Sequence, residues 1–91
     1  MNQMDLPIKG QVGEDFLWAL NELDIAVTEK TTINSLLVEL RLKGVKVTLE
    51  PTGRIRISLP PFIAKETGIH FGKVVTTGAT VTANLFIDLA T

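Results

Sequence analysis

Lys46, Glu50, Arg54 and Arg56 stand at alternating positions on either side of a Pro51-Thr52-Gly53 segment, so an extended chain carries them on a single face. Three cations and one carboxylate make a surface that can take an acidic peptide through charge-assisted arginine contacts, or hold phosphates by the same pairing. The plainer account is a solvated strand face on which Glu50 pairs with Arg54, since opposite charges across strands are ordinary sheet chemistry. Arg41 and Lys43 close a predicted helix, where a cation is favourable without any further role.

Nothing else in the chain points to catalysis. His70 is the only imidazole, there is no cysteine, and no Ser-His-Asp spacing accompanies it, so His70 is expected as a turn residue. Glu14 and Asp15 are adjacent and leave a helix on different faces, which argues against a joint acid–base pair. Gly68, Gly72 and Gly78 follow no phosphate-loop spacing and are read as turns. An enzyme is not expected, nor a cofactor or metal; the function should be an interaction.

The elements that must position the charged face lie in residues 31–61. Ile33, Leu36, Leu37 and Leu40 fall at i, i+3, i+4 and i+7, with Thr32 placed to cap the helix and Gly44 to end it in a left-handed conformation. After Gly44 the period becomes two. Val45, Val47 and Leu49, then Ile55, Ile57 and Leu59, alternate with polar residues and predict a hairpin of strands 45–50 and 54–59. Pro51 suits a type I turn and Gly53 a positive φ, which sets Glu50 opposite Arg54 and Leu49 opposite Ile55, with all six apolar residues on one face.

Around this block the signals are shorter. Residues 1–12 carry Pro7, Gly10 and little periodicity and are expected to form a flexible arm. Residues 13–23 read as a helix with Phe16, Leu17, Leu20 and Leu23 in a stripe and acids in the first turn. Trp18 sits off that stripe, either half-buried in the core or facing a partner. Ile25-Ala26-Val27 is a very short strand or an apolar linker. Pro60-Pro61 ends the hairpin and presets a short helix over residues 61–67, followed by a turn at Ile69-His70-Phe71-Gly72 and a strand at residues 73–77. Thr80, Thr82, Asn84, Phe86 and Asp88 then alternate with Val81, Ala83, Leu85, Ile87 and Leu89, so the chain ends in one or two strands.

Length and charge bound the partners. Ninety-one residues with 45% hydrophobic content suit one domain with a modest core, near the size where dimerisation often adds stability, and a homodimer is expected. A formal charge of −1 gives no global attraction to nucleic acid or an anionic membrane, leaving only a local basic patch for such a role. No segment approaches the roughly 20 apolar residues of a membrane span, and no basic stretch followed by an apolar run marks a secretory signal. The absence of cysteine fits a reducing, cytoplasmic setting.

Two resemblances overlap on these residues. Leu36-Leu37, Glu39-Leu40-Arg41, Gly44-Val45, Val47, Leu49-Glu50 and Arg54-Ile55-Arg56-Ile57 make residues 33–60 resemble the small N-terminal docking domains of the TubC type from nonribosomal peptide synthetases. That resemblance implies a hairpin that binds a short linear motif of a partner chain, a tendency to dimerise, and Lys46, Thr48, Arg54 and Arg56 as docking positions. Members of that family begin close to their first helix and end in helices. This chain instead has residues 1–32 in front and strands expected at the end, so a stand-alone relative is expected rather than an assembly-line domain. Gly53-Arg54-Ile55, Pro60, Ile63, Gly68-Ile69, Gly72 and Val75 also look like the swapped-hairpin DNA-binding domains of the AbrB and MazE type, with two extra residues before Pro60 and Lys73 where an acid is usual.

The sequence therefore predicts an α+β protein with two N-terminal helices, a hairpin, a short helix and C-terminal strands. Its expected function is non-catalytic docking of a partner protein or peptide at the hairpin; the alternative is an AbrB-like DNA-binding regulator or antitoxin.

Overall fold

Thr32 opens the central helix through a reciprocal cap, its hydroxyl accepting the N–H of Ser35 while the Ser35 hydroxyl accepts the N–H of Thr32. The structure, a computed structural model, describes residues 3–89. Helix α1 spans Glu14–Glu22 and α2 spans Ile33–Leu42. Both close in the same way: after α2, Gly44 at φ +78° donates to Arg41 C=O and Val45 to Leu40 C=O; after α1, Asp24 at φ +59° donates to Asn21 C=O and Ile25 to Leu20 C=O. The chain thus turns sharply and buries the first residue beyond each turn, Val45 and Ile25.

Among the described residues, seven strands follow α2: β1 (Lys46–Leu49), β2 (Arg54–Ser58), β3 (Phe62–Ile63), β4 (Gly68–His70), β5 (Lys73–Val75), β6 (Thr80–Val81) and β7 (Asn84–Asp88). All pairings are antiparallel: a three-stranded sheet in the order β1-β2-β7 and two ribbons, β3-β6 and β4-β5. The expected hairpin register holds. Leu49 faces Ile55, Glu50 N–H bonds Arg54 C=O at 2.8 Å, and Gly53 takes φ +88°. Ile33, Leu36, Leu37 and Leu40 of α2 join Phe16, Ala19 and Leu20 of α1 and Ile55, Ile57, Leu85 and Ile87 of the sheet in one core. Leu49, expected on the buried face, is 67% exposed at the end of an outer strand.

Other expectations need correction. Residues 61–67 form no helix. Phe62 is buried and pairs with Val81, while Ala64 N–H donates to Ala79 C=O and Ala64 C=O accepts from Gly78 N–H, both at 2.9 Å. Pairing with residues far along the chain thereby overrides a local helix signal that proline alone had suggested. His70 belongs to a strand rather than a turn: the turn is the pair Phe71-Gly72, both at positive φ (53° and 72°), as a two-residue type I′ hairpin requires. The alternating run 80–89 keeps its inward residues but breaks at Thr82-Ala83, so β6 pairs with β3 and β7 with β2. Ile25-Ala26-Val27 is a linker.

Where a flexible arm was expected, Gln3–Asp5 and Ile8–Gly10 form single 3-10 turns. Ile8 is fully buried and donates its N–H to Thr31 C=O at 2.7 Å. Residues 1–2 of that arm lie outside the described residues. Among the described residues no helix is long and apolar enough to cross a membrane.

Candidate interaction face

The register of the three-stranded sheet lines up three outward rows. Lys46, Ser58 and Asn84 form one; Thr48, Arg56 and Phe86 form the next; Arg54 and Asp88 form the third, with Glu50 beside Arg54. All four residues expected to contact a partner, Lys46, Thr48, Arg54 and Arg56, are exposed on this single face. Their common orientation follows from the period of two and from the Gly53 turn that keeps both strands in register.

The ion pairs differ from expectation. Glu50 does not pair with Arg54; its Oε2 lies 2.8 Å from Arg56 Nη2, while Arg54 Nε reaches Asp88 Oδ1 at 2.8 Å on β7. The hydrogen bond and charge of Asp88 raise the Arg54 pKa above its ordinary value. Phe86 supplies what binds the two arginines into one unit. Its ring lies 5.0 Å from the Arg54 guanidinium carbon and 5.7 Å from that of Arg56, within cation–π range of both, and the residue is 39% exposed.

A shallow open hollow runs between the Pro51–Gly53 turn and this trio. Each arginine meets its carboxylate through one nitrogen, leaving the remaining donors of each planar fork directed at solvent or a ligand. Lys46 forms no ion pair among the described residues. Asp88 is exposed and Glu50 half-buried, and the face can exchange such carboxylates for those of a bound segment, with Phe86 as an apolar platform. Phe86 and Asp88 were missed as site residues because they lie some thirty residues beyond the hairpin; the one signal was an aromatic residue among the polar members of the 80–89 alternation.

A second cluster joins α1 to the β4-β5 ribbon. Trp18 and His70 stack, and Asp15 accepts from the Phe71 N–H through Oδ2 at 2.8 Å while its Oδ1 lies 3.1 Å from His70 Nδ1. A Cβ built on Gly68 would come within 2.8 Å of His70 Nε2, so the far side of the imidazole is closed by backbone. Trp18 is half-buried, with Phe62 and Phe71 also against it. The imidazole is thus held through Nδ1 and by the Trp18 ring, and it ties the ribbon to α1. Nearby, the buried Glu22 carboxylate accepts the Lys65 N–H at 2.7 Å, and the Lys65 ammonium meets Asp24, whose hydrogen bond raises the lysine pKa.

Among the described residues, no group of three or more His, Cys, Asp or Glu is arranged to hold a metal ion. No protein-family model, curated protein or solved structure matches this chain.

Proposed function

We propose that the chain is a non-catalytic docking module that receives an extended acidic segment of a partner protein across the outward face of β1, β2 and β7. Lys46, Arg54 and Arg56 would meet its carboxylates, Thr48 would offer a hydroxyl, and Phe86 would take an apolar side chain between them. The observation that carries this reading is the arrangement of Arg54 and Arg56 around one exposed aromatic ring, each held by a single exchangeable contact. Arginine and aromatic residues together are the side chains most enriched where partner proteins bind tightly. The resemblance of residues 33–60 to TubC-type docking domains points to the same face.

Duplex DNA is disfavoured by the two carboxylates, Glu50 and Asp88, that stand among the cations. Titration with a fluorescent peptide of alternating glutamate and leucine, and in parallel with a labelled duplex, separates the two. The peptide should bind, and replacement of Arg54 and Arg56 together by Ser should weaken it at least about thirtyfold, equivalent to about 2 kcal/mol, while the melting temperature barely moves. Duplex binding that falls steeply with salt, in the absence of peptide binding, would reject docking in favour of a DNA-binding role.

A further inference from the structure

Strand β1 is an outer strand of the three-stranded sheet. Because Glu50 N–H bonds Arg54 C=O, and the register pairs Thr48 with Arg56 and Lys46 with Ser58, the backbone polar groups of residues 46, 48 and 50 point toward β2. Those of Val47 and Leu49 point the other way, where no strand among the described residues pairs with them. An unpaired edge of this kind is a template for another strand.

We propose that this edge pairs antiparallel with the same edge of a second copy of the chain, about a two-fold axis through Thr48. The sequence of the edge is self-complementary in that register. Val47 faces Leu49 of the partner subunit and exchanges N–H···O=C bonds with it, and the symmetric pair does the same, for four bonds in all. Lys46 faces Glu50 of the partner subunit on the outward side, twice. Leu49, 67% exposed in the single chain, is covered against Val47 of the partner subunit.

Other two-fold registers lack this match. Centring on Val47 sets Lys46 against a threonine, and centring on Leu49 sets Glu50 against a threonine, so neither joins opposite charges. Lys46 has no ion-pair partner within the chain among the described residues. Glu50 contacts Arg56 through one carboxylate oxygen and has capacity for a second cation. The ladder also has built-in ends, since Val45 N–H is committed to Leu40 C=O at 2.9 Å and Pro51 has no N–H. A contact one strand wide gives a weak, concentration-dependent dimer. It joins two three-stranded sheets and sets both charged faces on the same side.

Sedimentation equilibrium across a concentration series, with charge reversal and single-cysteine variants, tests this. The chain should pass from monomer to dimer, and Lys46→Glu or Glu50→Lys should each weaken association about tenfold or more by placing like charges opposite one another at two symmetric points. The double reversal should restore it. Rescue is the diagnostic result, because damage to the fold would accumulate rather than cancel. Since the chain has no cysteine, Thr48→Cys should give a disulfide-linked dimer under mild oxidation, at a position where facing strands approach to about 4.5 Å between Cα atoms, whereas Thr52→Cys should not. A chain that stays monomeric at its highest soluble concentration, a double reversal that fails to rescue, or equal cross-linking by T48C and T52C would overturn the proposal.

Discussion

Trp18 and His70 stack face to face, with ring centroids 3.7 Å apart and planes 6° from parallel. The pair joins the first helix to a two-stranded ribbon, β4-β5, whose outward residues Ile69 and Val74 are largely exposed. An isolated two-stranded ribbon is marginal in water. The stack and the two contacts of Asp15 therefore tie it to the first helix, beside Val75 of β5, which is buried in the core.

His70→Ala should cost about 1 to 3 kcal/mol, combining a lost aromatic stack with a lost contact to a carboxylate. Trp18 is the only tryptophan, so its emission reads this site alone and should shift to longer wavelength as one ring face meets water. Amides of β4 and β5 should exchange faster while those of β1, β2 and β7 stay protected. Unchanged emission and exchange would mean that the ribbon is held elsewhere.

Leu40 and Leu37 lie on the same helical face but should respond differently to truncation. Leu40 is fully buried, whereas Leu37 lines an apolar groove with Met4, Val47 and Leu49, where the surroundings can relax into the space left behind. Leu40→Ala should cost about 3 to 5 kcal/mol and Leu37→Ala about 2 to 3, within the usual range for buried leucines. Urea unfolding of both variants measures the difference; equal costs would show that the groove does not yield.

Gly53 is constrained by backbone conformation and not by space, since a Cβ there would meet nothing within 4 Å. Its φ of +88° should make Gly53→Val cost about 2 kcal/mol or more, while Gly53→Asn, which tolerates positive φ, should cost less than about 1. Thermal melts of the two variants side by side check it. A similar loss for both would point to an unseen steric contact.

Glu22 is buried at 7% exposure because its carboxylate is an acceptor for the Lys65 N–H at the turn between β3 and β4. Glu22→Gln keeps an acceptor and should be mild. Glu22→Ala leaves that N–H without its partner and opens the helix face, and should cost about 1 to 3 kcal/mol. If chemical denaturation ranks the two variants equally, the bond contributes nothing.

The charged face was legible in part. Lys46, Thr48, Arg54 and Arg56 share a face because strand alternation and a glycine turn are properties of adjacent residues, visible in any extended reading of 45–59. Phe86 and Asp88 were not legible as members of that face, because the pairing of β7 with β2 crosses some thirty residues and nothing in local spacing selects it. The ion pairs changed accordingly: once Asp88 lies beside Arg54, Glu50 is left to Arg56.

The sequence alone determined α2, its caps and the β1-β2 hairpin, since capping hydroxyls, apolar spacing and positive-φ glycines act within a few residues of one another. Tertiary structure decided the rest. Residues 61–67 are extended because Phe62 and Ala64 find partners at Val81 and Ala79, and Ile8 is drawn into the core with its N–H on Thr31 C=O. In each case a burial or hydrogen bond made with a distant residue outweighs a local preference of a few tenths to about 1 kcal/mol per residue, and such partners come together only when the chain has folded.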